Sequence, residues 1–349
     1  MLFNDPIFIL IFLPITVAGF FLLGRMDRRF ATAWLVAASL FFYGYWKAEY
    51  VLILVFSILF NFTIGGYLAT RPSRWGLALG VAGNLALLGF YKYTGFLMGM
   101  GNDLFDMRWT VPSILLPLAI SFFTFQQVAF LCDCNDGQTR ERNLLNYFLF
   151  VCFFPQLIAG PIVHHSEMLP QFRRSSIFRP MIRNFAIGTT IFGIGLTKKV
   201  VIADSISVWA DPVFNAAAAG QTLNFIEGWV GSVAFTLQLY FDFSGYSDMA
   251  IGIARLFGIR LPLNFNSPLK SHNIIEFWTR WHMTLSRFLA AYLYNPMVLS
   301  VTRKRMAEGK PVLRQSKAKP GVFIRMLALP TMITFFLAGI WHGAGIQFI

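Results

Sequence analysis

Stretches of about 20 apolar residues recur along almost the whole chain, and a run of that length suits a helix crossing a hydrocarbon core roughly 30 Å thick. They occupy residues 7–23, 32–46, 50–69, 76–90, 111–131, 185–202, 225–257 and 323–349. Lipid offers no partner for a backbone amide, so segments of this kind are confined to helices or closed barrels. Of the 349 residues, 56% are hydrophobic and only 13% charged, about half the charged fraction of roughly 25% usual in soluble domains. A disordered chain is excluded and a soluble one disfavoured. The expected fold class is an all-α polytopic membrane protein, one membrane-embedded domain over residues 1–349 with a re-entrant segment and an interfacial amphipathic helix.

Lys and Arg number 29 against 16 acids, a formal charge of +13. In a polytopic chain such an excess belongs first to cytoplasmic loops, and no nucleic-acid partner is implied. Arg25, Arg28 and Arg29 follow the first run, Arg71 and Arg74 the third, Arg140 and Arg142 the fifth, an alternation that holds with the N-terminus outside. It breaks at residues 143–163, because Arg173, Arg174, Arg179 and Arg183 follow that run as well. Pro155, Gly160 and Pro161 interrupt it, and proline removes backbone donors from a helix, so a broken, re-entrant segment is expected. Residues 303–325 hold eight Lys or Arg and one acid, Glu308, and read as a basic cytoplasmic loop or, alternatively, a steering field for an acidic lipid head group or coenzyme A. The final run reaches residue 349 without a polar flank, so further C-terminal spans are expected. Cys132, Cys134 and Cys152 form no disulfide framework and read as packing residues.

Residues 273–292 differ from the spans. At 100° per residue Ile274, Trp278, Trp281, Leu285, Phe288 and Tyr292 fall on one stripe, with Glu276, Arg280 and Arg287 nearly opposite. The pattern predicts an amphipathic helix at the bilayer surface, with Glu276 and Arg280 paired at i, i+4.

No GxSxG, GxxxxGK[ST], HExxH or GxGxxG motif is present. Chemistry is therefore sought among polar groups stranded in apolar runs, where their burial cost marks a pathway or a reactive site. Apart from Arg325 near its start, His342 is the one titratable group of its run and is flanked by Gly339, Gly343 and Gly345; it is a candidate general base or, alternatively, a helix-packing histidine. His282 sits on the border of the amphipathic faces. Asp242, Tyr246 and Asp248 interrupt the 225–257 run, and the two acids, six apart, do not share a helical face. They could line a water-filled path, and with residues 155–161 they support a transporter or proton-pathway reading. Gln156 lies in the re-entrant segment. His164 and His165 have no Cys or acid at ligand spacing, so no metal site is expected.

Residues 152–163 (CFFPQLIAGPIV), 239–268 (LYFDFSGYSDMAIGIARLFGIRLPLNFNSP), 276–289 (EFWTRWHMTLSRFL) and 338–345 (AGIWHGAG), taken in order, resemble the membrane-bound O-acyltransferase family. They are most similar to its bacterial branch of alginate O-acetyltransferases and the D-alanyl transferase of teichoic acid synthesis. The resemblance implies a multi-pass protein of the bacterial inner membrane with a tunnel across it. It places the family's signature histidine at His342, as general base, and a second signature position at His282, with His282 or a nearby donor polarising the carbonyl. Gln156, Asp242, Tyr246, Asp248, Glu276, Trp278 and Arg280 are expected to line or position that tunnel. The implied donor is a cytoplasmic acyl thioester, acetyl-CoA, used as co-substrate without a bound cofactor. The implied acceptor is a hydroxyl of an exported polysaccharide or of an extracytoplasmic partner protein. This chain has Ala290-Ala291-Tyr292 and Asn295-Pro296 where bacterial relatives commonly carry Arg-Asp-Tyr and a Gly-Gly-Asn turn. A structural subunit that recruits a partner and catalyses nothing is the blandest alternative.

Overall fold

The computed structural model describes residues 1–139, 141–312 and 320–345. Arg140, the middle of the basic segment and residues 346–349 of the closing run lie outside the described residues. Within them the chain is helical and has no strand, as apolar segments without water to hydrogen-bond require.

The N-terminal part follows the apolar runs closely. A π-helical turn at Phe8–Phe12 leads into α1 (Leu13–Met26), followed by α2 (Arg28–Gly44), α3 (Glu49–Thr70) and α4 (Arg74–Phe105). The Asp27 side chain accepts the Arg29 amide at the start of α2, and Ser73 accepts Gly76 at the start of α4, satisfying orphan amides of the first turn. α3 and α4 are joined deep in the bundle by a reciprocal amide pair, Asn61 Nδ2 to Asn84 Oδ1 at 3.0 Å and Asn84 Nδ2 to Asn61 Oδ1 at 2.6 Å. Buried amides of this kind hold helices together where lipid offers them no partner.

The predicted span over 111–131 is corrected. Residues 106–119 are extended or turn-like, and α5 begins only at Ile120, running to Asn135. Pro112 and Pro117 explain the delay, since neither can donate within a helix and each biases its predecessor away from helical geometry. The break expected within residues 143–163 forms. α6 (Leu144–Cys152) stops at Phe153, one short turn, α7 (Phe154–Leu157), follows, and an irregular link leads to α8 (His165–Phe172). This non-helical backbone is buried in protein: Phe153, Phe154, Leu157, Ile162 and Val163 all belong to the core.

α9 (Ile182–Leu196) passes through a π-helical stretch, Thr197–Ala203, into α10 (Asp204–Ala218), and packs along α11 (Phe225–Leu256). The approach is close enough to require glycine. A Cβ on Gly195 would stand 2.6 Å from the Gly245 carbonyl, and one on Gly252 would stand 2.6 Å from the Gly188 carbonyl. Small residues let helix backbones meet in this way in membranes.

The single amphipathic helix expected over 273–292 is also corrected. The chain forms α12 (Ile274–Arg280), breaks at Trp281 and His282, and resumes as α13 (Met283–Leu289), a π-helical turn at Ala290–Tyr294 and α14 (Asn295–Ala307). Two backbone hydrogen bonds from the 264–266 loop fill the break, Asn266 N–H to the Arg280 carbonyl and Met283 N–H to the Asn264 carbonyl, both 2.9 Å. The halves then separate in burial: α12 buries no residue, whereas Thr284 and Leu285 of α13 are buried. Arg287 fixes α13 against α8 through a bidentate pair with Glu167, at 2.6 and 2.9 Å.

The basic segment is not simply a loop. Residues 303–307 close α14, and residues from Pro320 start the last span, α15 (Pro320–Phe323), a π-helical turn at Ile324–Ala328 and α16 (Leu329–His342). Among the described residues, four helices are long and apolar enough to cross a membrane, Phe8–Met26, Glu49–Thr70, Ile182–Ala218 and Pro320–His342.

Candidate active site

His342 is the last residue of α16, where the four final carbonyls of a helix lack partners of their own. Of these, the Gly339, Ile340 and Trp341 carbonyls have one here. Gly343 N–H reaches the Gly339 carbonyl at 3.3 Å, and His342 Nδ1 donates to the Ala338 carbonyl, one turn back, at 2.7 Å. The Tyr93 hydroxyl donates to the Ile340 carbonyl and the Lys92 ammonium to the Trp341 carbonyl. Two neighbours on α4 thus cap the helix that carries the histidine. With Nδ1–H committed, the neutral ring keeps its free lone pair on Nε2.

His282 is the N-cap of α13 and adopts a left-handed conformation, φ +43°, which a non-glycine residue holds only when its surroundings enforce it. Its side chain is buried and its ring stands edge-on to Phe243, centroids 4.9 Å apart at 87°. Nδ1 meets Asn264 Oδ1 at 2.9 Å. The surrounding hydrogen bonds assign the proton: the Thr284 hydroxyl accepts Ile162 N–H at 3.0 Å and donates to Asn264 Oδ1 at 2.8 Å, while Asn264 Nδ2 donates to Ser247 at 3.2 Å. Asn264 Oδ1 is therefore the acceptor, His282 Nδ1 carries hydrogen, and Nε2 is again the free nitrogen. Burial first, and the neighbouring His342 second, push the His282 imidazole down to about 3, so it stays neutral at physiological pH.

Both histidines line one cavity of about 310 Å³, shared with Lys92, Ser121, Phe122, Ile158, Phe243 and Trp341. Lys92 also faces the Ser121 hydroxyl at 3.5 Å. A lysine half-buried among apolar helices has a large desolvation cost and marks a functional position. It was legible as the charge that follows the 76–90 run, yet sequence reasoning passed over it, as it did Asn264.

A second cavity, of about 530 Å³, opens beside Asp133, His164, His165, Glu167, Arg287 and Tyr292. An aromatic partition contributes walls to both cavities. Phe125 stacks on Trp341 at 4.8 Å and 16°, and on Phe288 at 4.6 Å and 14°. Phe122 and Trp341 line the histidine cavity while Ile162 and Phe288 line the other. Among the described residues this stack lies between the two cavities.

The other expected site residues lie outside the histidine cavity. Asp242 pairs with Lys199 at 2.8 Å and Asp248 with Lys198 at 2.6 Å, so the charges that the translocation reading needs are already compensated between α11 and the π-helical stretch after α9. Tyr246 stacks on Phe3 at 4.7 Å. Gln156 is buried with its amide donating to the Phe150 carbonyl. Glu276 and Arg280 do pair, at 2.6 Å, and the Glu276 carboxyl, which also accepts His272 N–H, is held below the ordinary carboxylate range by that hydrogen bond and by Arg280. Trp278 is partly exposed and meets Phe335 edge-on at 5.7 Å. These residues belong to the surface of α12.

The premise that His164 and His165 lack an acidic partner is corrected. Asp133 of α5, distant in sequence, reaches both, with Oδ2 at 2.8 Å from each Nε2.

The profile of MBOAT, the membrane-bound O-acyltransferase family, matches residues 138–308. The peptidoglycan O-acetyltransferase of Helicobacter pylori is 44% identical, with all of this chain and 68% of the relative covered. The probable alginate O-acetylase of Pseudomonas aeruginosa is 36% identical over all of this chain and 63% of its own length. The chain belongs to the membrane-bound O-acyltransferase family. A more distant relative, the teichoic acid D-alanyltransferase of Bacillus subtilis, is 29% identical over 66% of this chain and 55% of its own. The chain thus spans roughly two thirds of the length of the relatives that match it throughout.

Proposed function

We propose that the protein is a membrane O-acyltransferase of the bacterial inner membrane. It moves an acyl group, acetyl in the simplest case, from a cytoplasmic thioester such as acetyl-CoA to a hydroxyl of an exported polysaccharide. The relatives named for peptidoglycan and alginate acetylation support this acceptor class; an extracytoplasmic partner protein is the other acceptor considered. The observation that carries the reading is the cavity shared by His282 and His342, in which each imidazole has its Nδ1–H engaged and its Nε2 free.

The chemistry assigned to these groups is as follows. His342 Nε2 takes the proton from the acceptor hydroxyl as its oxygen attacks the thioester carbonyl carbon. The tetrahedral oxyanion is stabilised by the Lys92 ammonium, whose third N–H, beyond those directed at the Trp341 carbonyl and Ser121, is available to the cavity. The C–S bond then breaks, the acyl group stays on the acceptor oxygen as an ester, and the imidazolium returns its proton to the thiolate. His282, neutral with Nε2 as acceptor, cannot polarise the carbonyl; that task moves to Lys92, and His282 instead accepts a hydrogen bond from the acceptor. A half-buried cation acts more strongly on a developing oxyanion than one in bulk water.

The test is replacement of His342 by Ala in the full-length protein, with mass analysis of O-acyl groups on the surface polymer and thioester turnover in proteoliposomes. Loss of both is expected. Undiminished acylation would reject His342 as the base, and solute or proton flux with the thioester intact would favour a transporter.

A further inference from the structure

Outside the histidine cavity, one cluster stands apart. Asp133, buried on α5, presents Oδ2 to His164 Nε2 at 2.8 Å, His165 Nε2 at 2.8 Å and the Tyr292 hydroxyl at 2.7 Å. His164 Nε2 and the Tyr292 oxygen are themselves 2.6 Å apart. The metal-ligating atoms of Asp133, His164 and His165 lie within 4.8 Å of one another. Four side chains from three separate segments, α5, the link into α8 and the π-helical turn after α13, converge on one point at the wall of the 530 Å³ cavity.

The proton count of this cluster is short. Asp133 Oδ2, His164 Nε2 and the Tyr292 oxygen form a triangle of three close contacts, yet a neutral histidine and a tyrosine bring only two protons to it. A cation at the centre satisfies all three oxygen and nitrogen lone pairs at once. At the opposite edge of His164, Nδ1 accepts the Ser166 N–H at 3.3 Å and lies 2.5 Å from the Ser166 hydroxyl. Metal binding uses the other tautomer, in which Nδ1–H donates to the Ser166 hydroxyl oxygen and Nε2 is freed. Ligating histidines are commonly oriented in this way by a hydrogen bond from the second ring nitrogen.

We propose that Asp133, His164 and His165, with Tyr292 or a water as fourth donor, form a binding site for a first-row divalent transition metal, with Zn²⁺ as the probe of choice. Two imidazoles and one carboxylate are a borderline donor set that suits zinc, whereas Mg²⁺ and Ca²⁺ require mostly oxygen. Ligand bonds of about 2.0–2.2 Å in tetrahedral array place donor atoms roughly 3.4 Å apart. The present 2.6–2.8 Å contacts reach that spacing by outward shifts of a few tenths of an ångström. The role is structural: the ion ties the re-entrant segment to α5 and to the turn after α13, and so fixes the wall of the larger cavity. It takes no part in acyl transfer.

The experiment uses full-length protein purified in detergent through a tag without histidines, stripped with chelator and titrated with Co²⁺ and then Zn²⁺. The expected result is one equivalent bound, with visible d–d absorption from cobalt that zinc bleaches. Binding should weaken at least about 100-fold in His164→Gln and in Asp133→Asn, and be unchanged in His272→Gln, which removes an exposed histidine. Should the ligand variants not fold, wild-type protein still decides: Zn²⁺ should shield His164 from diethyl pyrocarbonate, read by peptide mass, while His272 keeps reacting. No saturable one-equivalent binding, binding unchanged in both ligand variants, or unaltered His164 reactivity under Zn²⁺ would each overturn the site. All three readouts are independent of acyl transfer.

Discussion

Lys92 donates a hydrogen bond to the main-chain carbonyl of Trp341, 249 positions away and one residue before His342. The ammonium therefore does two things at once. It caps the helix that ends in the histidine, and it places a positive charge in the cavity to which the proposed acyl transfer is assigned. Lys92→Met should lower kcat by roughly 10²–10³ with little change in KM for the thioester. Lys92→Arg, which keeps the charge and a donor, should retain more activity than Lys92→Met, as read by thioester consumption in proteoliposomes. Equal loss in both would leave Lys92 a purely packing residue.

Asn264 sets the tautomer of His282. In Asn264→Asp the oxygen facing Nδ1–H becomes anionic and favours the imidazolium, which removes the Nε2 acceptor as pH falls. The rate profile should gain one further ionisation on its acidic side compared with the parent, with folding intact. A profile superimposable on the parent would show that the His282 tautomer has no part in the reaction.

Burial of neutral His282 also has a stability consequence. Its pKa is about 3 in the folded protein and near 6.5 in the unfolded chain, so between these values the unfolded state binds more protons. Stability is then fully present above about pH 6.5 and declines as pH falls toward 3. Thermal unfolding in detergent should show a drop over this window that is smaller in His282→Asn. An equal drop in both would assign acid lability elsewhere.

Much of this architecture follows from one-dimensional pattern. Apolar runs located α1 to α4 and α11, and Pro155 and Pro161 foretold the broken segment; His282 and His342, singled out separately in the sequence, line one cavity. What escaped depends on contacts between distant segments. The 100° stripe through residues 273–292 continues unbroken past His282, so only the 264–266 loop, by hydrogen-bonding Arg280 and Met283, reveals the interruption. Asp242 and Asp248 looked like functional charges because Lys198 and Lys199, which neutralise them, lie on another helix. Asp133 was missed as a partner of His164 and His165 for the same reason.

The glycine contact of α9 with α11 leaves no room for a side chain. In Gly195→Ala the new methyl would meet the Gly245 carbonyl at 2.6 Å and the Met249 amide nitrogen at 2.7 Å. Backbone cannot step aside as a flexible side chain does, so the helices must separate along the seam. Overpacking of this kind costs about 1–3 kcal/mol, and a lower unfolding temperature in detergent is expected. Gly193→Ala, with open space around its Cβ position, is the matched control and should be near neutral.

The stack of Phe125 between Trp341 and Phe288 separates the two cavities with three apolar rings. If thioester and acceptor reach the reaction from opposite sides, this partition also decides whether water follows them. Phe125→Ala removes the middle ring and opens a gap that the stiff neighbouring rings cannot fill. Water then competes with the acceptor for the activated carbonyl, a side reaction that closed active sites suppress. The variant should release free carboxylic acid from the thioester faster than the parent while O-acylation of the polymer falls. The ratio of hydrolysis to transfer, measured on proteoliposomes with and without acceptor, should rise severalfold. An unchanged ratio would mean that water is excluded elsewhere and that the aromatic stack serves only to pack α5 against α13 and α16.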